Sequence, residues 1–347
     1  MNTFSSADQI KVGVIGYGGA FNMGKVHLDG MHKAGMTPVA VTELDPDRLK
    51  VAKTDFPGIH TYPSLDEMLE RDDVNLITII TPHNTHAALA EQCLNAGRHV
   101  VCEKPLAITT GEVDSMIATA ERNGVMLSTY HNRHWDGCIV EGVKRIREGG
   151  EIGDIIGINA HMTNYGQPGD WWRSSKSISG GILYDWGVHL LEYSLQLIDS
   201  EVTEVSGFAH EGFWAPKTRW KEDTNEDDAF AVVRFKSGQR LTLHFSQLDA
   251  KGRDGFLEIQ GTKGVYTMGP NGFTIHTVSG RERTSLQMPH PESDWDAYYM
   301  NVAGFMTGKE SLVIDGAWSR RPIHIIDLAV RSAKEGRALP ANDSYSV

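Results

Sequence analysis

Lys104, Asp185 and His189 are the side chains in this sequence best suited by type and setting to chemistry at a hydroxyl group. Lys104 stands in Glu103-Lys104-Pro105, directly behind a short apolar run, and Asp185 and His189 are four residues apart, hence on one face of any helix that carries them. They supply a cation, a carboxylate and an imidazole. A base that titrates near neutrality is usually a histidine, and a buried cation can stabilise a developing alkoxide. Each taken alone has a plainer explanation: a strand-end lysine, a solvated helix pair, and in Glu103 a surface carboxylate. Asp and His at helical spacing could also be metal ligands, but no third ligand lies at a convincing spacing, so no metal is expected.

A second constellation is glycine-rich. Lys11-Val12-Gly13-Val14-Ile15 reads as a strand, and Gly16-Tyr17-Gly18-Gly19 follows it at once. A backbone without Cβ atoms can turn tightly there, approach a pyrophosphate, and aim the N–H groups of the next helix at its charge. Gly16 and Gly18 fit a GxG pair, whereas Phe21 occupies the third position and the next match is Gly24, in Gly24-Lys25-Val26-His27. The loop therefore reads as lengthened, with Phe21, Asn22 and Met23 expected to bulge toward a cofactor or its entrance. A purely structural turn fits this imperfect motif equally well until its context is added. Just past the second strand lies Glu43, with Asp45 close behind, where a carboxylate would accept hydrogen bonds from an adenosine ribose and repel a 2′-phosphate. That points to NAD rather than NADP, although Arg48 and Lys50 lie nearby and either carboxylate could instead cap the following helix.

The elements that must position these groups follow a βαβ rhythm over the first 130 residues or so, with apolar runs at 11–15, 38–41, 76–80, 99–102 and 125–130. Asp45-Pro46 supplies a cap and a first-turn proline, Ser64 with Glu67 spells a capping box, Asn84 can cap another helix and Gly97 can end it. In an open parallel sheet the carboxyl ends of strands line the ligand crevice, so Thr81-Pro82-His83-Asn84-Thr85-His86 and Glu103-Lys104-Pro105 are expected beside the cofactor. Beyond residue 136 the pattern becomes a helix to about 149, a strand over 154–164, a polar Trp-bearing loop, and a helix over 180–199. Alternating stretches at 229–235, 241–245, 256–260 and 272–276 then predict an antiparallel sheet, and helices at 295–306 and 322–334 close the chain. The expected fold class is α/β: a Rossmann dinucleotide-binding domain over 1–135, and a C-terminal α+β domain over 136–347 with a large, open, mainly antiparallel sheet. The last helices could pack back on the first domain.

With 347 residues, two domains are the default, and 40% hydrophobic with 22% charged residues excludes wholesale disorder. A formal net charge of -12 argues against nucleic acid or anionic membrane as a partner. Cys93, Cys102 and Cys138 are too scattered and too few for a disulfide framework or a CxxC pair, which fits a reducing cytoplasm. The first ten residues do not read as a signal peptide, and no later run approaches the length of a membrane span. Trp171-Trp172-Arg173, His134-Trp135 and Tyr165 flank the expected pocket, and indole faces suit the C–H faces of a sugar ring, so a sugar or polyol is the expected substrate. Trp186 and Trp318 read as packing residues.

Taken in chain order, these segments resemble the glucose-fructose oxidoreductase/inositol dehydrogenase (Gfo/Idh/MocA) family. The resemblance runs from the glycine turn through Thr81-Pro82 with His86, Glu103-Lys104-Pro105, Asn132-Arg133, Trp172-Arg173 and the helix with Asp185 and His189, to Arg331-Ser332-Ala333 with Gly336. It implies a hydride transfer between a carbinol carbon and nicotinamide, with His189 removing the hydroxyl proton, Asp185 orienting that imidazole, and Lys104 contacting the reacting hydroxyl or the nicotinamide ribose. It also places Thr81, Pro82, His83, His86, Glu103, Asn132, Trp172 and Arg173 at the cofactor, with Arg173 reaching the substrate too, and makes the C-terminal sheet an oligomer contact. Two departures, the lengthened glycine loop and His83 where many members carry asparagine, bear on the nicotinamide environment rather than on the fold. A second chemistry uses the same residues: a redox-assisted glycosidase that oxidises a sugar hydroxyl, eliminates the aglycone, and returns the hydride without net NADH.

Overall fold

The computed structural model describes residues 3–71 and 73–341. The chain divides into two compact units, one formed by residues up to 132 together with 295–320, the other by 133–294 and the residues from 321 onward.

The first unit is built on six strands: β1 (Lys11–Ile15), β2 (Thr37–Thr42), β3 (His60–Tyr62), β4 (Leu76–Ile79), β5 (His99–Cys102) and β6 (Leu127–Thr129). All neighbours are parallel, in the order β3-β2-β1-β4-β5-β6, which is the doubly wound Rossmann order with its reversal beside β1. Continuous apolar runs form β1, β4 and β5 because helices cover the parallel sheet on both faces, and β4 and β5 are buried throughout. The helices are α1 (Met23–Lys33), α2 (Pro46–Asp55), α3 (Leu65–Leu69), α4 (His86–Asn95) and α5 (Thr110–Asn123). Local chemistry sets their ends. Asp45 accepts from the Asp47 N–H at 2.9 Å ahead of Pro46, Ser64 accepts from the Glu67 N–H, and Thr109 with Glu112 forms a complete capping box before α5. Asn84 does not cap α4: it falls inside a 3₁₀ turn, His83–Thr85, so the helix starts later than the sequence suggests.

The second unit opens with α6 (Gly137–Val143), which runs into a π-helical turn, Lys144–Glu148, rather than continuing as α-helix to 149. Strand β7 (Ile155–Thr163) follows, then the short α7 (Lys176–Ser179) and α8 (Leu183–Leu197). Strands β8 (Val202–His210), β9 (Asp228–Phe235), β10 (Arg240–Ser246), β11 (Leu257–Gly261), β12 (Gly264–Met268), β13 (Phe273–Ser279) and β14 (Glu282–Met288) complete most of the sheet, and β15 (Leu339–Pro340) pairs with β8. The order is β14-β13-β12-β11-β7-β10-β9-β8-β15, antiparallel except where β10 runs parallel to β7. Ile158 and Ala160 of β7 and Leu241 and Leu243 of β10 are buried, and α8 packs on these two strands. Helix α9 (Ala297–Met306) belongs to the first unit, and α10 (Gly316–Glu335) supplies residues to each. α10 begins well before Pro322, which lies inside it, because Asp315 accepts from the Trp318 N–H at 2.7 Å and caps the helix there.

Candidate active site

In the first unit the glycine turn is built as a close approach. Gly16 has φ +98, and a Cβ there would lie 2.3 Å from the Ile80 carbonyl oxygen, so only glycine fits between the ends of β1 and β4. A Cβ on Gly18 would meet nothing within 4 Å, which leaves the backbone open to a ligand. Gly24 takes the packing role of a third glycine: its Cβ would stand 2.5 Å from the Tyr17 ring. Phe21 is exposed, Asn22 sits in the left-handed region at φ 50 and makes no capping bond, and Met23 is the first residue of α1 rather than part of a bulge.

Glu43 stands at the carboxyl end of β2 with both oxygens engaged. Oε2 accepts from the Tyr17 N–H at 2.7 Å, and Oε1 accepts from the N–H groups of Leu44 at 2.6 Å and Asp45 at 3.1 Å. The carboxylate is thereby pinned to the glycine turn, while Asp45 is spent as the α2 cap. Arg48 also reaches this turn: its Nε donates to the Tyr17 carbonyl at 2.8 Å and a guanidinium nitrogen donates to Asn22 Oδ1 at 3.3 Å.

The ends of β4 and β5 are tied by His86. Its ring nitrogens lie 2.8 Å from the carbonyl oxygens of Thr81 and of Pro105, and burial pushes the imidazole below its ordinary pKa, so the neutral ring donates to one of them at a time. Thr81 and Thr85 hydroxyls meet at 2.6 Å, Pro82 accepts from Thr85 Oγ1 at 2.7 Å, and His83 is buried. Lys104 therefore stands in a loop held from several directions. Its own N–H donates to Glu103 Oε2 at 3.0 Å, and its peptide bond to Pro105 is cis. Asn132 ends the first segment of this unit, at the start of a 3₁₀ turn.

In the second unit Asp185 and His189 lie one turn apart on α8, as their spacing requires. Arg173 Nη1 donates to Asp185 Oδ1 at 2.5 Å, and the guanidinium also lies over the rings of Trp171 and Trp172 at 5.3 and 5.1 Å. His189 is buried, with its ring edge-on to Trp186 at 5.2 Å, and Arg133 stacks on Trp186 at 4.7 Å. The approach to α8 is braced by Glu226, which accepts from the Ile182 N–H at 2.9 Å and pairs with Lys176 at 2.8 Å. Asp185, Arg173 and Trp171 share a cleft of about 510 Å³ with Trp186, Asn225 and Arg253, within the usual ~300–1,000 Å³ range of small-molecule sites. Asn225 donates to the Arg173 carbonyl at 2.7 Å, which fixes the loop that carries the arginine.

Not every aromatic or imidazole singled out in the sequence stands in this wall. His134 is engaged by Glu192 at 2.5 Å, with Trp135 beside it at 4.8 Å between ring centres. Tyr165 is 55% exposed and packs against Trp214. Conversely, Asn225, Glu226 and Arg253 carry no signal in the sequence: each is an ordinary polar residue in a polar stretch, with no spacing to mark it.

Two family models match this chain: the NAD-binding Rossmann-fold model of the oxidoreductase family over residues 10–131, and the GFO/IDH/MocA C-terminal domain over residues 140–267. The chain belongs to the Gfo/Idh/MocA oxidoreductase family. Family relatives include the scyllo-inositol 2-dehydrogenase (NADP(+)) IolW of Bacillus subtilis, 25% identical with 96% of each chain covered. Another is the myo-inositol 2-dehydrogenase of Thermotoga maritima, 28% identical with 74% of each chain covered. Among solved structures of the same fold, a levoglucosan dehydrogenase in complex with NADH and levoglucosan superposes with a TM-score of 0.80 at 20% identity, covering 96% of this chain and 100% of that one. The residues just described form a tight glycine turn at the end of β1 in one unit and a polar, aromatic cleft in the other. No helix among the described residues is long and apolar enough to cross a membrane.

Proposed function

We propose that this chain is an NAD(H)-dependent dehydrogenase of a sugar or polyol. Gly16, Gly18 and Glu43 fit a bound dinucleotide: a cradle that a Cβ would fill, an open backbone for the pyrophosphate, and a rigid carboxylate where the adenosine ribose is read. Because three backbone N–H groups hold Glu43, it cannot swing aside for a 2′-phosphate, which favours NAD over NADP. Bound NAD supplies the hydride acceptor, at nicotinamide C4. His189 takes the hydroxyl proton of the substrate as its carbinol becomes a carbonyl, and in the reverse direction returns that proton. Lys104 supplies an ammonium, the group suited to stabilise negative charge that develops on a substrate oxygen. Asp185, clamped by Arg173, sets the polar side of α8 from which His189 works.

The observation that carries the reading is the Arg173–Asp185 pair on the wall of a cleft shared with two indoles, one turn of α8 before His189. Trp171 and Trp186 line the cleft, although the sequence reads Trp186 as a packing residue, and the paired charges and Asn225 offer groups that hydroxyls can bond. The inositol dehydrogenases among the relatives, and the levoglucosan dehydrogenase of like fold, support a cyclic polyhydroxylated substrate. The test is a panel of free sugars, inositols and aryl glycosides offered with NAD, with reduced nicotinamide and released aglycone recorded in parallel. NADH formation with a free sugar or inositol is the expected result; aglycone release without NADH establishes the redox-assisted glycosidase instead.

A further inference from the structure

His27 is fully buried in α1, on the face that also buries Leu28 and Met31 against the sheet. A buried imidazole needs partners for both nitrogens, and both are present: Nδ1 lies 2.6 Å from Tyr299 Oη, and Nε2 lies 3.1 Å from Glu103 Oε1. Burial raises the Tyr299 phenol well above its ordinary pKa, so it keeps its proton as the hydrogen-bond partner of Nδ1. Glu103 as a carboxylate can only accept, so His27 Nε2 carries a proton and donates to it. Thr78 Oγ1, 3.3 Å from Tyr299 Oη, extends the chain at its far end, and Tyr130 packs edge-on against the imidazole at 4.3 Å.

The near end of the chain is Lys104. Burial works to raise the Glu103 carboxyl, but the His27 hydrogen bond and its electrostatic pull, followed by the Lys104 charge and the Lys104 N–H, together hold it below the ordinary value. The carboxylate has one oxygen for His27 and the other for the backbone N–H of Lys104. Rotating Glu103 away from His27 would release the Lys104 amide as well.

We propose that His27 is a positioning residue for Lys104, fixing through Glu103 the backbone segment from which the ammonium departs. The inference rests on the reading of Lys104 as the cation that stabilises the substrate oxygen. It is tested in the full chain with His27→Leu, His27→Gln, Tyr299→Phe and Lys104→Ala, using amide hydrogen exchange at Lys104, the NADH dissociation constant, and kcat normalised to NADH-binding sites. His27→Leu should speed exchange of the Lys104 amide by about 10-fold or more and lower kcat by a similar factor, while NADH binding changes by less than about threefold. His27→Gln, whose amide can accept from Tyr299 and donate to Glu103, should recover both exchange and kcat; Tyr299→Phe should show a weaker form of the Leu defect. Should His27→Leu fail to fold, the Gln and Phe variants carry the comparison. Unchanged exchange and kcat in His27→Leu, or equal defects in Leu and Gln, overturn the positioning role. Full turnover in Lys104→Ala overturns the assigned chemistry and this role with it, whereas a dead Lys104→Ala beside a normal His27→Leu removes the positioning role alone.

Discussion

Acid should weaken this fold through His99, the first residue of β5 and thus of the strand that delivers Glu103 and Lys104. Burial pushes its imidazole from the ordinary 6.5 down to about 4, and Nδ1 accepts from the Met126 N–H at 2.9 Å, a bond that protonation of Nδ1 would destroy. The unfolded chain binds a proton near pH 6.5 and the folded one only near 4, so stability is intact above the higher value and is lost as pH falls through the window between them. Each unit of that window is worth about 1.4 kcal/mol, for a full loss of about 3 kcal/mol, and of about 2 kcal/mol between pH 7 and 5. Carboxylates also titrate on the way down, so the decisive quantity is a difference. Urea unfolding of the wild type and of His99→Gln, at pH 7 and at pH 5, should show the wild type losing about 2 kcal/mol more than the variant. Equal losses in the two proteins would refute the assignment, whatever the variant's stability at neutral pH.

Three substitutions probe the site directly. Gly16→Ala brings a methyl group into the Ile80 carbonyl and should weaken NADH binding by about 100-fold or more in a fluorescence titration. Glu43→Gln removes the fixed negative charge at the ribose position and should narrow the preference for NADH over NADPH by on the order of tenfold, measured as a ratio of dissociation constants. His189→Ala should lower kcat by ~10²–10⁴-fold with NADH affinity nearly unchanged, because proton transfer is lost and the cradle is in other residues.

The parallel half of the fold was legible because its physics is local. Apolar runs of the right length mark strands buried on both faces, Asp45-Pro46 acts in the structure as the cap it spells, and of the Ser64–Glu67 box the structure shows the N-cap half, Ser64 accepting from the Glu67 N–H. The antiparallel half was legible only where one face is buried. β9 and β10 alternate in burial and could be found, whereas β14 is exposed along its whole length and carries no such signal. At the site, residue types at strand ends and the four-residue spacing on α8 could be read directly. Their partners could not: Arg173 for Asp185, and above all His27 for Glu103, 76 residues apart, are set by how helices pack on strands. The same holds for His86, which closes the Thr81 and Pro105 loops by a contact that no motif announces.

A dehydrogenase of this kind makes a net, direct hydride transfer from a carbinol carbon to nicotinamide. That transfer is tested most directly by offering NAD and the most active compound of the panel, deuterated at the reacting carbon, and locating the label by NMR. One deuterium at C4 of the reduced nicotinamide is the predicted result. Reduced nicotinamide without the label, or label retained wholly in the sugar while the substrate is consumed, would contradict it.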